Sequence, residues 1–231
     1  MNKVNVVNID SPFLDQKPGT SGLRKSTLKF QEKDYLEIFI EAILLSLKNL
    51  KGSTLIVGGD GRYGNIEAIE KIVQICVAHQ VGKVIVPKDG LLSTPATSNL
   101  IRKVNAIGGI ILSASHNPGG INGDFGVKLN ISNGGPAPES ITNQIFKSSQ
   151  LLTSYKISEI QMPNLSNFGS FSFGETTLEI IDGVNDYSNL MQKVFDFDQI
   201  SAFLKNDFSL VFDAMNAVTG PYAKNIFVEK M

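Results

Sequence analysis

The sequence predicts an α/β fold with a mixed, largely parallel sheet sandwiched by helices, followed by the start of a second α/β domain. Short apolar runs alternate with longer segments whose apolar residues recur at helical spacing, an order typical of βαβ units. Of its 231 residues, 42% are hydrophobic, which is enough to bury one large core. We expect a first domain over residues 1–181 and an incomplete second domain over residues 182–231.

The first half of the chain alternates regularly between strand and helix patterns. In order, it predicts a strand at Val4–Ile9, a helix at Gln31–Leu50, a strand at Thr54–Val57, a helix at Asn65–His79, a strand at Lys83–Val86, a helix at Ala96–Val104 and a strand at Gly108–Leu112. Alternation of this kind places the strands side by side in a mainly parallel sheet.

The second half of the chain is less regular. It predicts a strand at Phe125–Asn130, a helix at Pro138–Ser149, irregular structure or short strands over Ser154–Phe173, a partly helical Leu178–Phe195, a strand at Phe208–Phe212 and a helix at Ala217–Lys230. The acidic Phe195–Asp198 is typical of a helix cap rather than of a metal site.

Composition argues against several classes of partner. The formal net charge is −1 with interspersed signs, so we expect no nucleic-acid partner. The most apolar segment, Tyr35–Leu47, contains Glu37 and Glu41 and is too short to span a bilayer. The single cysteine, Cys76, cannot form a disulfide within the chain, and the N-terminus lacks the pattern of a signal peptide. These features predict a cytoplasmic protein without a membrane partner.

The most informative stretch is Gly108–Asn130, GGIILSASHNPGGINGDFGVKLN. It indicates a strand, a polar glycine-rich loop with Ser115 and His116, and a second strand that carries Lys128. The loop follows the carboxyl end of a predicted parallel strand, where functional groups gather in α/β sheets. A hydroxyl beside an imidazole, among backbone donors, suits phosphoryl or acyl transfer.

Phosphoryl transfer fits this loop better than acyl transfer. Neighbouring side chains such as Ser115 and His116 rarely face each other on a loop, and the G-x-S-x-G pattern of a hydrolase is absent. Phosphoryl transfer depends on positioning and charge neutralisation, for which Lys128, Arg24 and His116 are available. The residues alone leave a second interpretation open, an ordinary solvated loop without chemistry.

Two glycine-rich segments are weaker candidates for anion binding. The loop Ser11–Arg24 brings Thr20, Ser21 and Arg24 together on a flexible backbone, although loops of this composition are usually connectors. GGDGR at Gly58–Arg62 lacks the GxxxxGK[ST] pattern of a phosphate loop. It is typical of a tight strand-to-helix turn, from which its arginine could still face the site.

Several of these motifs together resemble a known family. SASHNPGGINGDFGVKLNISNGGPAPE is similar to the phosphoserine loop of the α-D-phosphohexomutase superfamily, and KPGTSGLRK to its substrate-phosphate loop. GGDGRYG, LLSTPATS, AIGGIIL and DAMNAVTGPYAKNIF also match, so that the resemblance runs nearly end to end. The NGDFGVK and GTSGLR flanks resemble the phosphoglucomutase branch, whereas the SASHNP core is similar to the glucosamine mutase form.

The resemblance implies an enzyme that interconverts glucose 1-phosphate and glucose 6-phosphate. By this resemblance Ser115 carries the phosphate, glucose 1,6-bisphosphate is the intermediate, and one oxygen of the Ser115 phosphate binds Mg²⁺. His116 and Lys128 would neutralise charge or shuttle a proton. The substrate, a phosphorylated hexose, would be bound by Thr20, Ser21, Arg24 and Asn117.

Three parts of the family pattern are not found in this sequence: the aspartate-rich metal loop, the sugar-specificity loop and the C-terminal phosphate-binding domain. We therefore expect the remaining metal ligands to lie beyond Met231 and the isolated chain to be inactive. The alternative is a non-catalytic, mutase-like structural or signalling protein that keeps the fold.

Overall fold

A computed structural model describes residues 3–206 and 208–231 of the chain. The strands are β1 Val4–Asn8, β2 Leu23–Ser26, β3 Thr54–Gly59, β4 Lys83–Pro87, β5 Gly108–Leu112, β6 Asp124–Ile131, β7 Ser154–Ser158, β8 Gly169–Phe173 and β9 Thr176–Ile181. The helices are α1 Thr27–Phe30, α2 Tyr35–Ser46, α3 Asn65–Ala78, α4 Thr94–Lys103, α5 Glu139–Leu151, α6 Gly183–Val194, α7 Phe197–Leu204 and α8 Thr219–Lys224.

The main sheet confirms the predicted fold class. Its strand order is β2-β6-β5-β3-β4-β9-β8, and the four central strands β5, β3, β4 and β9 are parallel. Antiparallel strands extend both edges, with β6 and β2 on one side and β8 on the other. β1 and β7 form a separate antiparallel pair.

Helices cover both faces of this sheet. Successive strand residues point to opposite faces, so Leu55 and Val57 of β3 enter a core that includes residues of α2, α3 and α5. Ile56 points the other way, into a smaller core with Leu100 and Ile101 of α4. α6 packs against α4 on this second face.

The first long helix is shorter than the predicted Gln31–Leu50. It begins at Tyr35 because Asp34 has a φ of 66°, outside the right-handed helical region. It ends at Ser46, since Leu47 is already extended. The one-turn helix α1, capped by the Ser26 hydroxyl, precedes it.

The prediction that Leu178–Phe195 is helical in part is confirmed, but its first residues form a strand instead. Thr176, Leu178 and Ile180 are buried at alternate positions of β9, which pairs with β4. The helix α6 starts only after Asp182, whose carboxylate accepts a hydrogen bond from the backbone of Asn185. The short strands expected within 154–173 are present as β7 and β8.

The predictions for the C-terminal part also need correction. The described residues 208–214 form no strand, and Val211 is 88% exposed, because no described strand lies beside them to complete the pairing. The predicted Ala217–Lys230 helix is limited to α8, followed by a wider helical turn at Asn225–Glu229. The expected cap at Asp196 is confirmed, since its carboxylate accepts from Gln199 at 3.0 Å.

The division of the chain into two domains at residue 181 stays a prediction.

Among the described residues, no helix combines the length and the apolar character needed to cross a bilayer.

Glycine at position 126 allows β6 to pass under the loop that follows β5. A Cβ at Gly126 would lie 2.2 Å from the Ser113 carbonyl oxygen and 2.9 Å from its carbon. Both atoms belong to the backbone, so the contact cannot be relieved by rotating a side chain.

We predict that Gly126→Ala destabilises the chain by about 1–3 kcal/mol, because the loop backbone must move. Urea unfolding of the chain measures this change. Gly220→Ala in α8 is the control, since its Cβ would meet only the Ala214 methyl at 3.5 Å. Equal stability of the two variants would contradict the close approach.

Candidate active site

The loop that connects β5 to β6, residues 113–123, lies at the carboxyl end of the parallel strands. It starts where the Ser113 backbone N–H donates to the Gly126 carbonyl at 2.9 Å. It closes where the Asp124 N–H donates to the Pro118 carbonyl at 2.8 Å. The predicted strand, loop and strand are therefore confirmed, and the loop occupies the edge where α/β sheets bind ligands.

Ser115 is held in an unusual backbone conformation. Its φ is 58°, in the left-handed region, which costs a residue with a Cβ roughly 1–2 kcal/mol. Its N–H donates to the Ser113 hydroxyl at 3.0 Å, and its side chain is exposed. Strained residues of this kind cluster at functional sites, where the surroundings hold them in place.

Neighbouring elements hold the loop from two further sides. Thr27 at the start of α1 donates through its hydroxyl to the Gly120 carbonyl at 2.9 Å and through its N–H to the Gly123 carbonyl at 2.8 Å. The Asn117 side-chain amide donates to Asp124 Oδ2 at 2.7 Å. In this structure Asn117 thus ties the loop to β6, and its contact with substrate stays a prediction.

Strand register places two cations on one face of the sheet edge. Arg24 lies opposite Gly126 in the β2–β6 pair, and Lys128 lies two residues further along β6. Residues opposite each other share a face, as do residues two apart on one strand. The backbone of Ser113 lies over Gly126, so the cations flank the start of the loop.

The positive charges of Arg24 and Lys128 repel each other. Burial and the positive charge of Arg24, in that order, lower the pKa of Lys128. Neither residue forms an ion pair within the described chain, and Arg24 Nε is buried without a hydrogen-bond partner there. Two neighbouring cations without a carboxylate suit a ligand with negative charge.

The turn that carries Thr20 and Ser21 lies next to Lys128. Gly19 and Gly22 close it with mutual backbone hydrogen bonds of 3.0 and 3.1 Å. A Cβ on Gly22 would lie 2.4 Å from the Val127 carbonyl oxygen, so only glycine permits this approach. The exposed hydroxyls of Thr20 and Ser21 therefore stand at the same sheet edge as the two cations.

His116 is exposed beside Ser115 and forms no hydrogen bond through its ring within the described residues. The expectation that it neutralises charge or moves a proton stays a prediction.

Asp60 and Arg62 also lie at the candidate site, and the sequence-predicted set of site residues does not contain them. Arg62 donates to the Ser115 carbonyl at 3.2 Å and to the Asp124 carbonyl at 2.6 Å, and it forms an ion pair with Asp60. The available signal was the position of GGDGR at the end of β3, directly beside β5 in a parallel sheet. The arginine of this segment thus contacts the backbone of the loop that carries Ser115.

The described residues do not form a complete metal site. They contain no group of three or more His, Cys, Asp or Glu side chains placed to hold an ion. The carboxylates nearest the loop are engaged, Asp60 by Arg62 and Asp124 by Asn117.

We predict that inorganic phosphate stabilises the chain, since an anion that binds only the folded state raises its stability. At ten times its dissociation constant the gain is about 1.4 kcal/mol, which corresponds to roughly 4 °C in Tm. Lys128→Met should lose most of this gain, whereas exposed Lys193→Met should retain it. A phosphate-induced shift that is equal in both variants would contradict an anion site at Lys128.

The lowered pKa of Lys128 also predicts a pH dependence without phosphate. The unfolded chain binds the Lys128 proton more tightly than the folded chain does, so the charged form opposes folding. This destabilisation is complete below the folded pKa and disappears as the pH rises towards the ordinary value of about 10.4. The stability of Lys128→Met relative to the parent, measured by urea unfolding, should therefore fall as the pH rises through this range.

Comparisons with known proteins show the family to which the chain is similar. Residues 15–156 match the family described as phosphoglucomutase/phosphomannomutase, alpha/beta/alpha domain I. The chain is 51% identical to a phosphoglucomutase of Aspergillus fumigatus, with 99% of this chain and 41% of that protein covered. It is 50% identical to phosphoglucomutase-1 of Dictyostelium discoideum, with the same coverage of 99% and 41%.

Solved structures extend this similarity to three dimensions. The open form of pp63/parafusin, a phosphoglucomutase from Paramecium, has a TM-score of 0.93 and 43% identity over 98% of this chain and 43% of that one. A Burkholderia thailandensis protein of the phosphoglucomutase/phosphomannomutase family shares the fold, with a TM-score of 0.57 and 18% identity over 93% of this chain and 42% of that one. The chain spans about two fifths of the length of the curated relatives, 41% for the first of them. The chain therefore belongs to the phosphoglucomutase/phosphomannomutase family.

Proposed function

We propose that the intact protein interconverts glucose 1-phosphate and glucose 6-phosphate, and that this chain supplies the serine that carries the phosphate. The observation that carries the proposal is the exposed, strained Ser115 on the same sheet edge as Arg24 and Lys128. The names of the relatives support the same substrates, since they are called phosphoglucomutases at about half identity.

The proposed reaction has two transfers. First, the bond between Ser115 Oγ and phosphorus breaks, and the phosphate passes to the 6-hydroxyl of glucose 1-phosphate, whose proton is transferred to Ser115 Oγ. The resulting glucose 1,6-bisphosphate turns over in the site. The bond between the sugar O1 and its phosphorus then breaks, that phosphate passes to Ser115 Oγ, the serine proton is transferred to O1, and glucose 6-phosphate is released. The serine is regenerated in its phosphorylated form, so that no other phosphate donor is consumed.

The cations at the sheet edge have two tasks in this scheme. Arg24 neutralises charge on the transferred phosphate, and its unpartnered Nε is a donor for an oxygen of that group. Lys128 has a lowered pKa, which makes loss of its proton easier and suits a proton shuttle. His116 is the other candidate for the proton, while Thr20, Ser21 and Asn117 contact the sugar phosphate.

The proposal includes Mg²⁺, which neutralises charge on a transferred phosphate. The contribution of this chain is one oxygen of the Ser115 phosphate. Since Asp60 and Asp124 are already engaged, the other ligands are assigned to the part of the intact protein outside this chain. For that reason the 231-residue chain by itself should show negligible turnover.

We also propose a cytoplasmic location for the protein, on the grounds of its composition.

We predict that Ser115→Ala in the intact protein lowers turnover of glucose 1-phosphate by at least about 10³-fold, as expected when a nucleophile is removed. A coupled assay of glucose 6-phosphate measures this loss. Ser170→Ala, at an exposed position on edge strand β8, should leave turnover unchanged.

Undiminished turnover in Ser115→Ala would rule out the phosphoserine. An intact wild-type protein that folds and binds phosphate but does not turn over glucose 1-phosphate would instead favour the non-catalytic alternative.

We predict that a chelator removes the activity of the intact protein, because the negative charge on the transferred phosphate is no longer neutralised once the metal is removed. Added Mg²⁺ should restore the activity. The chain's thermal stability should stay the same, since its described residues hold no complete metal site. Full activity in the presence of excess chelator would contradict the need for Mg²⁺.

A further inference from the structure

Arg62 and Asp60 form a partly buried ion pair next to the loop of residues 113–123. The Arg62 side chain is 7% exposed and that of Asp60 17%. Arg62 Nε lies 2.9 and 3.1 Å from the two Asp60 carboxylate oxygens, and Nη2 lies 2.8 Å from Oδ2. A planar guanidinium in this two-pronged contact has a fixed direction.

The same guanidinium also donates hydrogen bonds to two backbone carbonyls, one near the start and one just after the end of the loop of residues 113–123. Nη2 donates to the Ser115 carbonyl at 3.2 Å, and Nη1 donates to the Asp124 carbonyl at 2.6 Å. One side chain therefore connects the residue proposed to carry the phosphate with the first residue of β6.

The pair is itself fixed to the regular structure of the sheet. The Asp60 N–H donates to the carbonyl of Leu112, the last residue of β5, at 3.0 Å. The Arg62 carbonyl accepts from the Asn65 N–H at the start of α3, also at 3.0 Å. The loop is thus held by a side chain whose own backbone is tied to β5 and α3.

We propose that Arg62, oriented by Asp60, is a positioning residue that fixes the backbone of Ser115 for phosphoryl transfer. The proposal rests on the function proposed above and adds a role for two residues outside the substrate loops. The left-handed conformation of Ser115 is disfavoured in the absence of outside contacts, and its carbonyl is the atom that Arg62 holds. Loss of this contact lets Ser115 relax and moves Oγ, with the phosphate it carries, away from the position needed for transfer to the sugar.

Arg62 differs from Arg24 in how its charge is used. Its Nε and Nη2 face the Asp60 carboxylate, whereas Arg24 has no such partner within the described residues. Arg62 therefore acts on the geometry of the serine rather than on the affinity for the sugar phosphate. Its removal should lower kcat while KM stays nearly unchanged.

The test compares Arg62→Ala, Arg62→Lys and Arg102→Ala in the intact protein. Arg102 is the matched control, because it also donates to a loop carbonyl, that of Asn133. Two quantities are measured: kcat and KM for glucose 1-phosphate, and hydrogen–deuterium exchange of the amides of residues 113–117. Thermal melting confirms that each variant is folded.

We expect Arg62→Ala to lower kcat on the order of 10²-fold, the effect of a displacement of about 1 Å at a reacting group. Exchange of the 113–117 amides should rise, and added guanidinium ion should restore part of kcat. Arg62→Lys should show the same direction, since one ammonium cannot span Asp60, Ser115 and Asp124. The lysine variant keeps the charge and most of the volume, so it decides the question if the alanine variant does not fold.

The proposal would be overturned if a folded Arg62 variant showed the same amide hydrogen exchange at residues 113–117 as wild type, whatever its kcat. A lower kcat with unchanged exchange would assign Arg62 a direct contact with substrate instead. If wild-type intact protein has no mutase turnover, the proposed function fails, and the exchange measurement alone still decides whether Arg62 holds the loop.

Discussion

The antiparallel pairing of β6 with β5 is the constraint on which the candidate site depends. The chain leaves β5 at Leu112 and must return within the next residues to pair beside it, with Val127 opposite Leu112. Gly126 makes this possible, because the backbone of Ser113 occupies the space of a side chain there. The same pairing brings Lys128 and, through β2, Arg24 to one face. Loop, cations and turn are thus consequences of one strand register.

Strain and charge are both concentrated at this edge of the sheet. Ser115 adopts a disfavoured φ, and Lys128 is partly buried beside another cation. These features are unfavourable to folding, and the burial of aliphatic residues in two cores offsets them. A bound phosphate would relieve the repulsion between the cations, so ligand and site stabilise each other.

The central part of the fold could be predicted from sequence because local pattern and tertiary context agree there. Gly108–Leu112 is apolar throughout and is buried between neighbours in a parallel sheet. The pattern failed where pairing partners decide the outcome: Thr176–Ile181 is a strand because β4 lies beside it, and Phe208–Phe212 is not a strand because no described strand does. Ser115 was predicted from its motif, and its role stays a prediction. The contact of Arg62 with the Ser115 carbonyl joins positions 53 residues apart, and only the place of GGDGR at the end of β3 pointed towards it.

The most direct measurement of the central claim is the location of phosphate on the intact protein after incubation with glucose 1,6-bisphosphate. Trypsin releases residues Val104–Lys128 as one peptide with two serines, Ser113 and Ser115. Fragmentation of this peptide by mass spectrometry distinguishes the two positions. We expect phosphate on Ser115. Phosphate on Ser113, or an unmodified peptide in a protein that turns over glucose 1-phosphate, would contradict it.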